Sequence, residues 1–256
     1  MDLGLGGTVA LVTGGVRGVG HGISQVLVEA GATVIACARN PREDPIHGVE
    51  FAVCDVRDAE QVQALVARIV ERHGRLDVLV NNAGGSPYAL AAEAGPRFHA
   101  KIVELNLLAP LIVAQTANKV MQSQDGGGSI VMVSSVSGHR PSPGTAAYGA
   151  AKAGLDNLAS SLAIEWAPKV RVNSVAAGLV RTEQAHLHYG DEDGIAAVAR
   201  TVPLGRLAEP VEIGRCVAFL ASPLASYVSG ATLVAHGGGE RPAFLAATKG
   251  SDHGPV

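Results

Sequence analysis

The chain reads as a single doubly wound α/β domain, a parallel sheet of about seven strands with helices on both faces. Three observations predict it. Short β-branched runs alternate with longer Ala- and Leu-rich stretches along the whole length. The runs TVALVT (8–13) and SIVMVS (129–134) are apolar almost without a break, as strands buried on both faces must be. A glycine-rich turn, TGGVRGVG (13–20), joins the first such run to the first helical stretch.

The elements follow in order. Strands are expected at 9–13, 33–37, 50–54, 78–81, 129–133, 170–175 and 232–235, each a compact run rich in Val, Ile or Thr. Helices are expected at 19–30, 59–72, 98–121, 147–167 and 211–221, where Ala and Leu recur over longer spans. QDGGGS (124–129) is a turn, because a strand follows it at once. No internal repeat interrupts the pattern. One domain spans 1–256, ending in a short polar tail from about residue 250 that is expected to be loose.

Composition narrows the function. The 256 residues carry 20 basic and 23 acidic groups, a net charge of −3, with no basic run, so a nucleic-acid partner is not expected. Hydrophobic residues make up 47%, enough for a sizeable core. The longest purely apolar stretches, such as 107–114, are too short to span a bilayer, and MDLGLGG has no signal-peptide pattern. Cys37, Cys54 and Cys216 are scattered among apolar residues without metal or disulfide spacing. A soluble cytoplasmic protein without a structural metal is expected.

Tyr148 and Lys152 lie four residues apart in AAYGAAKAGLDNLA, hence on one face of a helix, and Ser135 lies thirteen residues before Tyr148 at a strand end. A cation near a phenol favours its ionised form, so the pair suits proton exchange with a carbonyl or alcohol. At the other end, the 13–20 turn allows backbone N–H groups to meet a pyrophosphate at a helix N-terminus. Its spacing is T-G-x-x-x-G-x-G rather than G-x-G-x-x-G. The second strand ends Cys37-Ala38-Arg39-Asn40, where an NAD-selective site would place a carboxylate. Alanine stands there instead, and Arg39 with Arg17 suits a 2′-phosphate, so NADP(H) is favoured and NAD(H) stays possible.

The ordered landmarks TGGVRGVG (13–20), CDV (54–56), NNAG (81–84), Asn106, Ser135, Tyr148 and Lys152 resemble those of the short-chain dehydrogenase/reductase family. VNSVAAGLVRTE (172–183), PLGRLAEP (203–210) and SYVSGATLVAHGG (226–238) continue the likeness over nearly the whole chain. The resemblance implies a Rossmann-like fold and an oxidoreductase. Ser135 would polarise the substrate oxygen, Tyr148 act as acid/base, Lys152 anchor the nicotinamide ribose and lower the Tyr148 pKa, and Asn106 kink its helix and hold a water. Gly14, Gly15, Arg17, Gly18, Val19 and Gly20 would cradle the phosphates, with Arg39 and Asn40 beside the adenosine ribose. Asp55 and Val56 would hold the adenine. Asn82, Ala83 and Gly84 would line the adenosine side and brace the sheet, and Gly178, Val180 and Thr182 would meet the nicotinamide. The alternatives are an NAD-dependent alcohol dehydrogenase of the same family and a non-catalytic dinucleotide sensor.

Two departures stand out from the family pattern. Ala177-Gly178 replaces Pro-Gly after the sixth strand, which should leave that turn freer, and His236 stands where Asp is frequent. The substrate lid falls at about 183–203. Its His186 and His188, among acidic residues, read as lid residues before metal ligands. His139 reads as a loop histidine within reach of substrate, and Tyr88 either lines the pocket or packs in the core. Small residues along 146–163 suit a helix interface, and the family implies a homotetramer; Arg241–Leu245 either reaches a neighbouring subunit or closes the pocket.

Overall fold

The computed structural model describes residues 2–40 and 46–242; the tail from residue 250 and most of the 241–245 segment lie outside them. Seven strands form one all-parallel sheet: β1 (Val9–Thr13), β2 (Thr33–Ala38), β3 (Val49–Val53), β4 (Val78–Asn81), β5 (Gly128–Ser135), β6 (Val170–Ala177) and β7 (Thr232–Ala235). Their order is β3-β2-β1-β4-β5-β6-β7, so the winding direction reverses between β1 and β4. Ligands of open α/β sheets bind at such a switch point, beyond the carboxyl ends of the strands.

Helices α1 (Gly18–Glu29) and α8 (Pro210–Ala221) cover one face, where Ile23, Leu27, Ile213 and Leu220 pack on Val12, Val80 and Val131. The other face carries α2 (Ala59–His73), α4 (Ala109–Ser123) and α5 (Ala146–Glu165), whose Leu65, Met121 and Leu155 meet Leu11, Leu79 and Ile130. Each fully buried Leu or Ile contributes roughly 1.5–3 kcal/mol of transfer free energy. Glycine lets α1 and α8 touch backbone to backbone: a Cβ on Gly22 would lie 2.4 Å from the Pro210 carbonyl carbon.

The expected helix at 98–121 is instead α3 (Pro96–Val103), a π-helical turn over Glu104–Leu108, and α4. The cause is Pro110, which has no N–H for the carbonyl four residues back, that of Asn106, and whose ring crowds it. The Ala109 N–H bonds Glu104 O across the widened turn. By length and hydropathy the run Pro96–Ser123 resembles a membrane span, which the unbroken apolar stretches did not foretell. Its buried side packs on α2, β4 and β5, as a core helix does. The lid also holds structure not foreseen in the sequence, α6 (His186–Tyr189) and α7 (Glu192–Ala199), closed over a small cluster of Ala185, Ile195 and Leu207.

Candidate active site

The glycine-rich turn at 13–20 lies at the switch point. Gly14 and Gly18 take positive φ, +63° and +51°, which side chains rarely tolerate. A Cβ on Gly20 would stand 2.1 Å from Gly14 O. Asn82 fixes the turn, its Nδ2 donating to Thr13 O at 2.9 Å and Gly14 O at 3.1 Å. Thr13 Oγ1 in turn accepts the N–H groups of Asn82 and Ala83, both at 3.0 Å. The N-cap of α1, Arg17, makes no side-chain cap and no acidic residue lies in the first turn. An anion seat is therefore left at that helix end, and the Glu183 carboxylate takes its first N–H. These residues fit a dinucleotide pyrophosphate.

The edge expected to take the adenosine holds a residue passed over in the sequence. Arg57 grips the Asp55 carboxylate through Nε at 2.9 Å and a terminal nitrogen at 2.6 Å. Those bonds, with the charge of Arg39 adding to them, pull Asp55 down to about 2 against the cost of its partial burial. Asp55 thus carries a paired charge, and Arg57 joins Arg17 and Arg39 as a guanidinium on this edge. Arg17, Arg39 and Asn40 are all exposed. An i, i+2 pair across a strand-end turn was the available signal.

Ser135 ends β5, in register with Ala177 at the end of β6. Tyr148 stands in the first turn of α5, with its phenol under the influence of the Ser135 hydroxyl. Lys152, one turn further, is buried, donates to Val133 O at 2.8 Å, and lies 5.6 Å from the centre of the Tyr148 ring. Burial pushes this ammonium down to about 8, with Asp156 opposing. The three predicted residues therefore converge at one strand end.

The expected lowering of Tyr148 is corrected. Burial pushes its phenol up, the Ser135 hydroxyl pulls the other way, and Tyr189 of the lid adds to the rise. One Lys152 N–H goes to the Val133 carbonyl, and the ammonium meets Tyr148 over the ring. Asn106 is fully buried in the π turn, where Oδ1 accepts from Gly85 N and Nδ2 donates to Gly85 O and Ile102 O, each at 2.9 Å. That grip sets the strip after β4 against Lys152: a Cβ on Gly84 would meet Asn106 Oδ1 at 2.6 Å and Lys152 Nζ at 3.4 Å.

The remaining candidates settle as follows. Val56 is buried in the core facing α2, and Val19 packs beneath the phosphate turn on the α1 side. Gly178 N donates to Ala235 O, Val180 bridges Ala208, and Thr182 packs against Gly18. Ala177 is the last residue of β6, in register with Ser135 and Ala235. His236 sits in a turn, its carbonyl accepting from Gly239 N. Tyr88 is 70% exposed against Gly144, outside the core. His139 binds Asp156 Oδ2 at 3.0 Å. Among the described residues no cluster of three metal-ligating side chains occurs. A separate cavity of about 150 Å³ lies behind the lid, lined by Leu179, Val202, Leu204, Cys216 and His236, and includes none of Ser135, Tyr148 or Lys152.

Known proteins carry the same pattern. Residues 14–240 match the family described as Enoyl-(Acyl carrier protein) reductase. The human Dehydrogenase/reductase SDR family member 4 is 35% identical over 245 residues, 91% of this chain and 88% of its own. A tropinone reductase homologue of Arabidopsis thaliana is 36% identical over 245 residues, 91% of each chain. The ligand-free aldohexose dehydrogenase of Thermoplasma acidophilum superposes with a TM-score of 0.87 at 30% identity, over 91% of this chain and 94% of its own. With its seven-stranded doubly wound sheet, glycine-rich switch-point turn and matches over nine-tenths of its length, the chain belongs to the short-chain dehydrogenase/reductase family of nicotinamide-dinucleotide-dependent oxidoreductases.

Proposed function

We propose that the protein moves a hydride between NADP(H) and a ketone or aldehyde and its alcohol. The observation that carries this reading is the convergence of Ser135, Tyr148 and Lys152 at the end of β5. The bound nicotinamide supplies or takes up the hydride. Ser135 donates a hydrogen bond to the substrate oxygen, which gains negative charge as reduction proceeds. Tyr148 delivers its phenolic proton to that oxygen. A phenol, which titrates ordinarily near 10, is protonated at neutral pH, the form reduction needs, and burial pushes this one in the same direction. Lys152 holds the nicotinamide ribose hydroxyls. Asn106, whose backbone carbonyl loses its usual donor to Pro110, holds a water beside Lys152. Arg17 and Arg39 clamp the 2′-phosphate; their positions at the turn and the β2 end, and the alanine at position 38, support NADP(H) over NAD(H).

The composition and the resemblance support a cytoplasmic homotetramer acting on a small molecule. Tyr148→Phe tests the chemistry. Turnover of a carbonyl substrate with NADPH should fall at least about 100-fold, the share typical of general acid catalysis, while NADPH binding holds. Full activity in this variant overturns the mechanism.

A further inference from the structure

We infer that Asp156 is a positioning residue for Lys152, its half-buried carboxylate serving as the counter-charge that holds the ammonium in the site. This rests on reading Lys152 as the ribose anchor. Lys152 is 3% exposed, and among the described residues it has no carboxylate within ion-pair distance. Its recorded bond goes to a neutral carbonyl, Val133 O. A buried cation in that setting needs charge nearby. Asp156 follows one helical turn later, on the same face of α5. Ser134 fixes Asp156 to the helix backbone beside Lys152, its hydroxyl shared between the Lys152 main-chain carbonyl at 3.2 Å and Asp156 Oδ2 at 2.9 Å.

The second oxygen of Asp156 is the telling atom. Oδ1 is buried and has no hydrogen-bond partner, while Oδ2 takes both Ser134 and His139. A carboxylate needed only to tie a turn to a helix would not leave an oxygen buried and unspent. The groups that face it are His139 from the turn after β5, Ser134 from β5 itself, and Lys152 on its own helix. Its charge acts on Lys152 against desolvation, in the direction the inference requires. The Ser134, His139 and Asp156 set is not a hydrolase triad, because the serine bonds the carboxylate and not the imidazole.

The test is an NMR titration of Lys152 in cofactor-free full-length protein carrying ¹³Cε-lysine, with Lys152→Met to assign the signal. Asp156→Asn keeps the shape and removes the charge. The half-titration point of Lys152 should fall by about one pH unit, the lower end of the effect of a nearby opposite charge. The alkaline limb of turnover should move with it. Ser134→Ala, which removes the tie and keeps the charge, should leave the half-point in place. An unchanged half-point in folded Asp156→Asn overturns the inference; if that variant does not fold, Asp156→Ser is read in the same way. The titration needs neither dinucleotide nor substrate. A wild-type protein that binds no dinucleotide would therefore sink the proposed function while this result is read separately.

Discussion

Both carboxylate oxygens of Glu183 accept the backbone N–H of Gly18, at 3.0 and 3.2 Å. The first residue of the lid thus stands on the helix end where a pyrophosphate would bind, and two anions cannot share one N–H. Glu183→Gln removes the competing charge. With a helix-end charge worth up to about 1 kcal/mol, the dinucleotide Kd should fall about threefold to fivefold. Fluorescence titration reads it; unchanged or weaker binding means that Glu183 only ties the lid down.

The 2′-phosphate clamp makes a sharper demand. Charge-assisted hydrogen bonds contribute roughly 1.5–3 kcal/mol, so Arg39→Ala should weaken NADPH about 10- to 100-fold and leave NADH nearly untouched. Comparing the two cofactors in wild type and variant measures this. Equal losses for both would make Arg39 a structural or surface residue. Arg57→Ala is the companion variant, because it also frees the Asp55 carboxylate, whose charge would then repel a phosphate.

The fold was legible where one rule governs. Buried strands must be apolar on both faces, and all seven appear within two residues of their expected bounds. Ser135, Tyr148 and Lys152 were legible because i, i+4 spacing and a strand end fix their geometry. The break at Asn106 was less so: Pro110 marks a disturbance but does not say that the helix continues through a π turn. Long-range contacts left no local trace. Glu183 meets Gly18 across 165 residues, and Asp156 meets His139 across 17. The direction of the Tyr148 shift was misread because spacing reports a neighbour's charge and not the burial that outweighs it.

Gly20 tests the turn itself. A methyl group there would lie 2.1 Å from Gly14 O and 2.5 Å from Asn82 Nδ2, both fixed by hydrogen bonds. Overpacking of this kind costs about 1–3 kcal/mol, or a Tm loss of roughly 2–10 °C for a chain of this size. Added dinucleotide should raise the Tm of wild type and fail to raise that of Gly20→Ala. A normal ligand-induced rise in the variant would show that the turn can open without loss of the site.

Lys152 should weaken the fold it serves. In the folded protein it titrates at about 8, against an ordinary 10.5. Between those values the unfolded chain binds the extra proton, so stability rises with pH across that window. Below pH 8 the burial penalty is fully present, about 3 kcal/mol at roughly 1.4 kcal/mol per pH unit. Lys152→Met removes the charge and keeps the length, giving up the bond to Val133 O, the contact over the Tyr148 ring and the weaker attraction of Asp156. It should therefore melt higher than wild type at pH 7, with the gap narrowing from pH 8 to 10, while turnover collapses. Thermal melts of both proteins across pH 6–10 decide it. A constant gap, or a less stable variant throughout, would mean that the ammonium is better solvated or better paired than its burial implies.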